Sequence, residues 1–174
     1  MNIWDDIVGV SVIIPRRLAE EIAKRGFGLE EIVLSSLIEK LGLDPAAATE
    51  VRLELASRYL REGAELVDRD PIQASEKLYK AAEECVKALA IYLNLGNILR
   101  EVEKRGRWTT TELEKAVEAI SDRVGRWFEE AWDRAWALHV WGFHETKLDS
   151  EAVKRRLPYI EKMVEEAEKL VSAK

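Results

Sequence analysis

The sequence predicts an all-α protein: an up-down helical bundle of four long helices plus short helices, with a small strand-helix-helix appendage at the N-terminus. Three observations carry that prediction. Arg126 to Glu145, RWFEEAWDRAWALHVWGFHE, holds four of the six Trp, two of the three Phe and both His. Within it Phe128, Ala131, Trp132, Ala135, Trp136, Leu138 and Phe143 recur mostly at three- and four-residue steps, the spacing of one wide helical face. Such an aromatic surface must be buried, so this segment is expected to be the central helix of the core. Asp-Pro occurs twice, at Asp44-Pro45 and Asp70-Pro71, and Asp as N-cap with Pro at the first helical position is a strong helix start. Finally, the pattern changes near residue 43, which divides the chain into an appendage over 1–43 and a bundle over 44–174.

In the first block, Val10 to Ile14 is β-branched and ends at Pro15, which predicts a short strand with a helix starting at the proline. That helix has Leu18, Ile22 and Ala19 on its apolar side and stops at Gly26-Phe-Gly28. A second helix, Leu29 to Leu41, is expected to bury Ile32, Val33, Leu37 and Leu41 and to end at Gly42.

The bundle begins at Asp44. Its first helix should run to about Asp68, with Ala48, Val51, Leu55, Tyr59 and Leu66 near one side. The next start signal follows at once, so the two helices are antiparallel neighbours. The second helix, Pro71 to about Leu93, sets Ala74, Leu78, Ala81, Cys85, Ala88 and Tyr92 on a stripe, with Glu76–Lys80 and Glu83–Lys87 as i,i+4 pairs on its wet side. A shorter helix follows Gly96. Gly106 to Trp108 is a turn, and Thr109 with Glu112 forms a capping box for a helix to about Ser121. After the aromatic helix, Asp149 caps a last helix to about Ser172, in which Pro158 requires a kink or a restart.

Composition narrows the function. A net charge of −6 argues against a general nucleic-acid-binding surface. One Cys forbids an internal disulfide, and two His with one Cys leave a zinc site short of ligands. No apolar run approaches the roughly 20 residues of a membrane span, and the start carries acids where a signal peptide carries bases. The reading is therefore a cytoplasmic protein with no membrane partner and no cofactor. Charged residues at 34%, with one Gln and three Asn, fit adaptation to high temperature.

Strand, glycine-separated helices and their spacing resemble the ribbon-helix-helix fold of dimeric DNA-binding repressors and antitoxins. In those proteins outward side chains of the strand read bases. Here only Ser11 among Val10, Ser11, Val12, Ile13 and Ile14 has that chemistry, so the appendage reads as a dimerising or packing element and DNA as an improbable partner.

The polar residues able to do chemistry gather at the C-terminal end of the aromatic helix: Asp133, Arg134, His139, His144, Glu145 and Asp149. His139 sits at the edge of the aromatic face, as a hydrogen-bonded core histidine or as an acid–base group. Paired Glu-x-x-His units or His at i,i+4, which a di-iron or zinc site would use, are not present. Cys85 falls on an alanine-rich face, where an inert thiol is expected.

The stretches PIQASEKLYKAAEECVKALA (Pro71 to Ala90), GRWT (Gly106 to Thr109) and LHVWGFHETKLDSEAV (Leu138 to Val153) resemble the PaREP family of archaeal paralogous proteins. That family is similar in turn to HEPN helical bundles, which include RNA-cleaving toxins and the helical partners of small nucleotidyltransferases. The resemblance implies two site registers. In one, Arg134 and His139 form the Arg-x4-His pair of HEPN ribonucleases, although Ala135 replaces the polar residue that usually follows the Arg. In the other, His144 takes the place of the histidine and His139 that of the arginine. Either pair projects about 140° apart on a regular helix, so joint action requires the helix to end or distort, for which Gly142 offers a place in the second register.

The favoured function is a non-catalytic interaction module, a homodimer with a possible nucleotidyltransferase-type partner. Two alternatives stand beside it. One is a metal-independent ribonuclease using His139 with His144 or Arg134; the other is a DNA-binding antitoxin or regulator acting through residues 1–43.

Overall fold

The computed structural model describes residues 10–26 and 28–173. The described chain is helical, in the order α1 (Arg16–Lys24), α2 (Leu29–Leu41), α3 (Pro45–Leu66), α4 (Pro71–Tyr92), α5 (Gly96–Arg105), α6 (Thr110–Val124), α7 (Trp127–Ala137), a π-helical segment (Leu138–His144), α8 (Ser150–Lys154) and α9 (Leu157–Ser172).

Both Asp-Pro starts form as expected. Asp44 accepts from the Ala47 N–H at 2.8 Å and Asp70 from the Gln73 N–H at 3.0 Å. The short link between α3 and α4 folds them onto each other, and Gly63 sets how closely. A Cβ there would stand 2.8 Å from Leu78 Cδ2 and 3.2 Å from the Leu78 nitrogen, so glycine lets the two backbones approach. The buried side of α3 runs through Ala48, which was expected there, and Thr49, Arg52, Leu53, Ala56 and Gly63. It is turned from the expected Val51–Leu55 stripe because Arg52 is drawn inward by carboxylates of α2 and α4.

The hub of the fold is α4, a departure from the expectation that the aromatic helix is central. It packs against α3, α5, α6, α7, the π segment, α8 and α9. Five buried alanines, at positions 74, 81, 82, 88 and 90, let neighbours close on it from several sides. The aromatic helix α7 instead keeps Glu129, Glu130, Asp133 and Arg134 exposed and buries Phe128, Ala131, Trp132 and Ala135 against the hub. Trp132 is 1% exposed, and its indole N–H donates to Glu114 Oε1 at 2.8 Å. Pro158 produces the restart between α8 and α9, and α9 closes the core with Ile160, Met163, Val164 and Ala167.

Two expectations for the N-terminal block fail. Among the described residues no strand forms, and residues 10–15 lie outside regular structure. β-Branched residues favour extended backbone, but a strand exists only as a member of a ladder, and the described chain offers no second one. Second, of the α2 residues expected to be buried, Ile32 is shielded but Val33, Leu37 and Leu41 turn outward. Leu29, Val33, Leu37 and Leu41 form an exposed stripe of four-residue steps, while Glu31, Ile32, Leu34, Ser35 and Ile38 are shielded.

Ion pairs fix that orientation. Arg52 holds Glu84 Oε2 at 2.8 Å and Glu31 Oε1 at 3.1 Å, and Lys87 Nζ lies 2.8 Å from Glu31, 2.6 Å from Glu83 and 3.2 Å from Glu84. Lys87 is therefore buried, not on a wet side, and its neighbour Lys80 pairs with Glu30 of α2 instead of Glu76. The two buried cations take Glu83 and Glu84 from α4, and Glu31 comes across from α2 to bridge both of them. Burial alone would raise the Glu31 carboxyl, but Lys87 and Arg52 outweigh it and hold it down at about 2.

Candidate functional site

At Leu138 the aromatic helix changes its hydrogen bonding and continues to His144 as a π-helix. The bond from the Glu145 N–H to the Val140 carbonyl, 2.9 Å, spans five residues. π turns are rare and cluster at functional sites. The sequence feature that permits this one is Gly142, which lies flush against α4. A Cβ there would stand 2.3 Å from Ser75 Oγ and 2.5 Å from Ser75 Cβ. The Ser75 hydroxyl is in turn folded back onto the Pro71 carbonyl at 2.7 Å.

Widening the helix brings its two histidines together. Residues five apart diverge by about 140° on an α-helix but lie one above the other across a π turn. His139 Nε2 and His144 Nε2 are 3.1 Å apart, with their rings nearly perpendicular at 82°. On the other side of His139, Nδ1 lies 3.2 Å from Glu76 Oε2 of α4. The carboxylate accepts from Nδ1–H, which places the lone pair of the neutral ring on Nε2, facing His144.

Aromatic side chains hold the pair in place. Tyr79 of α4 stacks on His139 with centroids 4.1 Å apart and planes 24° apart. Trp136 stands 5.5 Å from His139, and Phe143 stands 5.1 Å from His144. Burial pushes the Tyr79 hydroxyl well above its usual range, and the nearby Glu83 adds to the effect, so it remains a protonated donor. His139 is partly covered by this cage, whereas His144 is exposed.

Arg134 takes no part in the cluster. Its guanidinium lies 5.4 Å over the ring of Tyr159 on α9, so the Arg-x4-His register is not assembled in the chain while the His139–His144 register is. Asp149 is occupied as a helix cap, accepting from the Ala152 N–H at 2.8 Å. Cys85 is fully buried, and burial pushes its thiol up, as expected of an inert core group.

Sequence reasoning missed Glu76 and Tyr79. They stand three apart on α4, so they share a face, but only the tertiary packing of α4 against the π segment gives that face its histidine partner. Tyr79 also lines a second feature, a cleft of about 330 Å³ with Glu83, Arg107, Trp108, Thr109, Thr110 and Leu113. The GRWT turn thus borders the aromatic cage. Among the described residues no helix is long and apolar enough to cross a membrane.

The model of the archaeal PaREP1/PaREP8 family matches residues 51–164. The chain belongs to that family. All of α4, the π segment and both histidines lie inside the matched region, and α1 and α2 lie outside it. A crystal structure of a Sulfolobus solfataricus protein is 39% identical with a TM-score of 0.60, covering 64% of this chain and 92% of its own. A solution structure of the same structural-genomics target is 40% identical with a TM-score of 0.58, covering 64% and 87%. No curated protein matches the sequence.

Proposed function

We propose that this PaREP protein is a homodimeric interaction module: a HEPN-like bundle framed by α3, α4, α7 with its π segment, and α9, joined to a second copy through α1, α2 and residues 10–14. The observation that carries the reading is the exposed stripe on α2. Neither α1 nor α2 contains a fully buried residue, and Leu37 and Leu41 are 53% and 70% exposed. Full burial of one such side chain is worth about 1.5 to 3 kcal/mol, so a row of them left in water calls for a covering surface. Val10, Val12, Ile13 and Leu18 are exposed as well. A second copy fits the stripe best, because an apolar stripe packed on its own image across a two-fold axis needs no complementary charge. The ion pairs of Glu30 and Glu31 keep α2 in this orientation and the stripe outward.

Sedimentation equilibrium on the full chain tests this. A dimer is expected, with Leu37→Glu and Leu41→Glu each weakening association at least tenfold while the far-ultraviolet circular dichroism of the bundle stays unchanged. A monomer at every accessible concentration, or a dimer indifferent to both substitutions, overturns the reading. A stable complex with a nucleotidyltransferase-type protein in place of self-association would make the partner heterotypic.

The Glu76–His139–His144 chain favours a second reading, a metal-independent ribonuclease in which the exposed His144 exchanges a proton with substrate and His139 and Glu76 support it. RNA cleavage in the presence of EDTA, abolished by His144→Ala, is its expected signature, and intact RNA excludes it. Duplex DNA binding that weakens with salt and is lost on deleting residues 1–43 would instead point to a regulator.

A further inference from the structure

We infer that His139 and His144 together hold a divalent transition-metal ion, such as Zn2+ or Cu2+, through their two Nε2 atoms. The inference rests on the geometry of the pair and on neither reading above. On sequence spacing alone a histidine ligand pair is excluded, because an α-helix brings together residues four apart and these are five apart. The π turn removes that objection, since it stacks the two rings as i,i+4 histidines stack on an α-helix.

The details are those of ligands. Two imidazole nitrogens bound at about 2.0 to 2.1 Å to one tetrahedral ion lie roughly 3.3 to 3.4 Å apart, and the two Nε2 atoms are 3.1 Å apart with their rings turned 82° to each other. Glu76 on Nδ1 of His139 is the carboxylate partner that a ligating histidine ordinarily has. It fixes the tautomer with the Nε2 lone pair outward. Tyr79 and Trp136 restrict the His139 ring, so little rotamer freedom is lost on binding. His144 reaches water and supplies the entry path. For His144 to ligate, its remaining proton resides on Nδ1.

Imidazole pairs suit Cu2+, Ni2+ and Zn2+ and discriminate against Mg2+ and Ca2+. Among the described residues no group of three His, Cys, Asp or Glu is arranged to hold an ion together, Glu76 being turned to Nδ1 of His139. An ion there therefore keeps open coordination positions for water or for an oxygen of a bound ligand, as in metal sites that polarise substrates. Occupying both Nε2 lone pairs also closes the metal-free proton route, so an ion bound at this pair would block RNA cleavage by it and EDTA would restore it.

The test is titration of the full chain with CuSO4 and ZnCl2. Electron spin echo envelope modulation on the one-equivalent Cu2+ complex should report two coordinated imidazoles in the wild type and one in His144→Asn. Calorimetry should show Zn2+ binding at least tenfold weaker in His144→Asn, and about tenfold weaker in Glu76→Gln with the two-imidazole signature retained. A single coordinated imidazole in the wild type, or Zn2+ affinity unchanged in His144→Asn, means that the two rings share only a hydrogen bond, and the inference is overturned. The wild-type spectrum decides the matter even if a variant fails to fold.

Discussion

Gly142 and Ser75 form the closest approach between the π segment and α4, and the whole histidine cluster depends on it. Gly142→Ala places a methyl group 2.3 Å from Ser75 Oγ. Overpacking of this kind costs about 1 to 3 kcal/mol, and urea denaturation should find a loss in that range. Combining it with Ser75→Gly should recover part of the loss, giving a coupling of about 1 kcal/mol in a double-mutant cycle, whereas strict additivity would mean the contact is slack. Arg134→Ala removes only an exposed cation–π contact with Tyr159 and should cost about 0.5 to 1 kcal/mol. A larger loss in the same denaturation experiment would place Arg134 in a structural role that its position on α7 does not give it. The histidines were legible as candidates because polar residues are conspicuous on an aromatic face. Their meeting was legible only as a condition, a distortion for which Gly142 offers a place, because the switch from four- to five-residue hydrogen bonds is decided by how Gly142 sits on a different helix.

Elements that begin with a local signal were the most legible. The Asp-Pro starts of α3 and α4, the Asp149 cap and the break at Pro158 need only their own few residues, and each forms where the spacing predicts. What α2 presents to the bundle was not legible, because its mixed apolar and acidic sides compete and long-range charge decides. Arg52 and Lys87, 4% and 2% exposed, both pair with Glu31, which therefore faces inward while the leucine stripe turns out. Arg52→Ala leaves carboxylates without their cation and should cost about 3 to 5 kcal/mol by urea denaturation. Acid should release α2 through the same cluster. Glu31 is held at about 2 against an ordinary 4.5, so its charge stabilises the fold fully above pH 4.5. That contribution shrinks as pH falls below 4.5 and is gone below about 2. The stability gap between the wild type and Glu31→Gln should therefore be constant near neutrality and close across that interval. A gap that persists at the lowest pH would show that Glu31 acts by packing and not by charge.

At the scale of the molecule, a family bundle over residues 51–164 carries two N-terminal helices that the family model does not include. The bundle is closed by its own core, with Trp132, Phe128, Leu78 and Ile160 almost wholly buried around α4. The N-terminal helices have no core of their own and expose the surface that a second copy would cover. The helical class followed from periodicity, while the strand expected at Val10–Ile14 did not form, since pairing is a property of two segments and composition describes one. The most direct test of the assembly is pulsed dipolar spectroscopy on the full chain carrying a single spin label at Ser36→Cys, an exposed position beside the stripe, with the buried Cys85 unreactive. Two coupled spins per particle with one narrow short distance, lost on diluting labelled with unlabelled protein, is the predicted result; an uncoupled label at every protein concentration would contradict it.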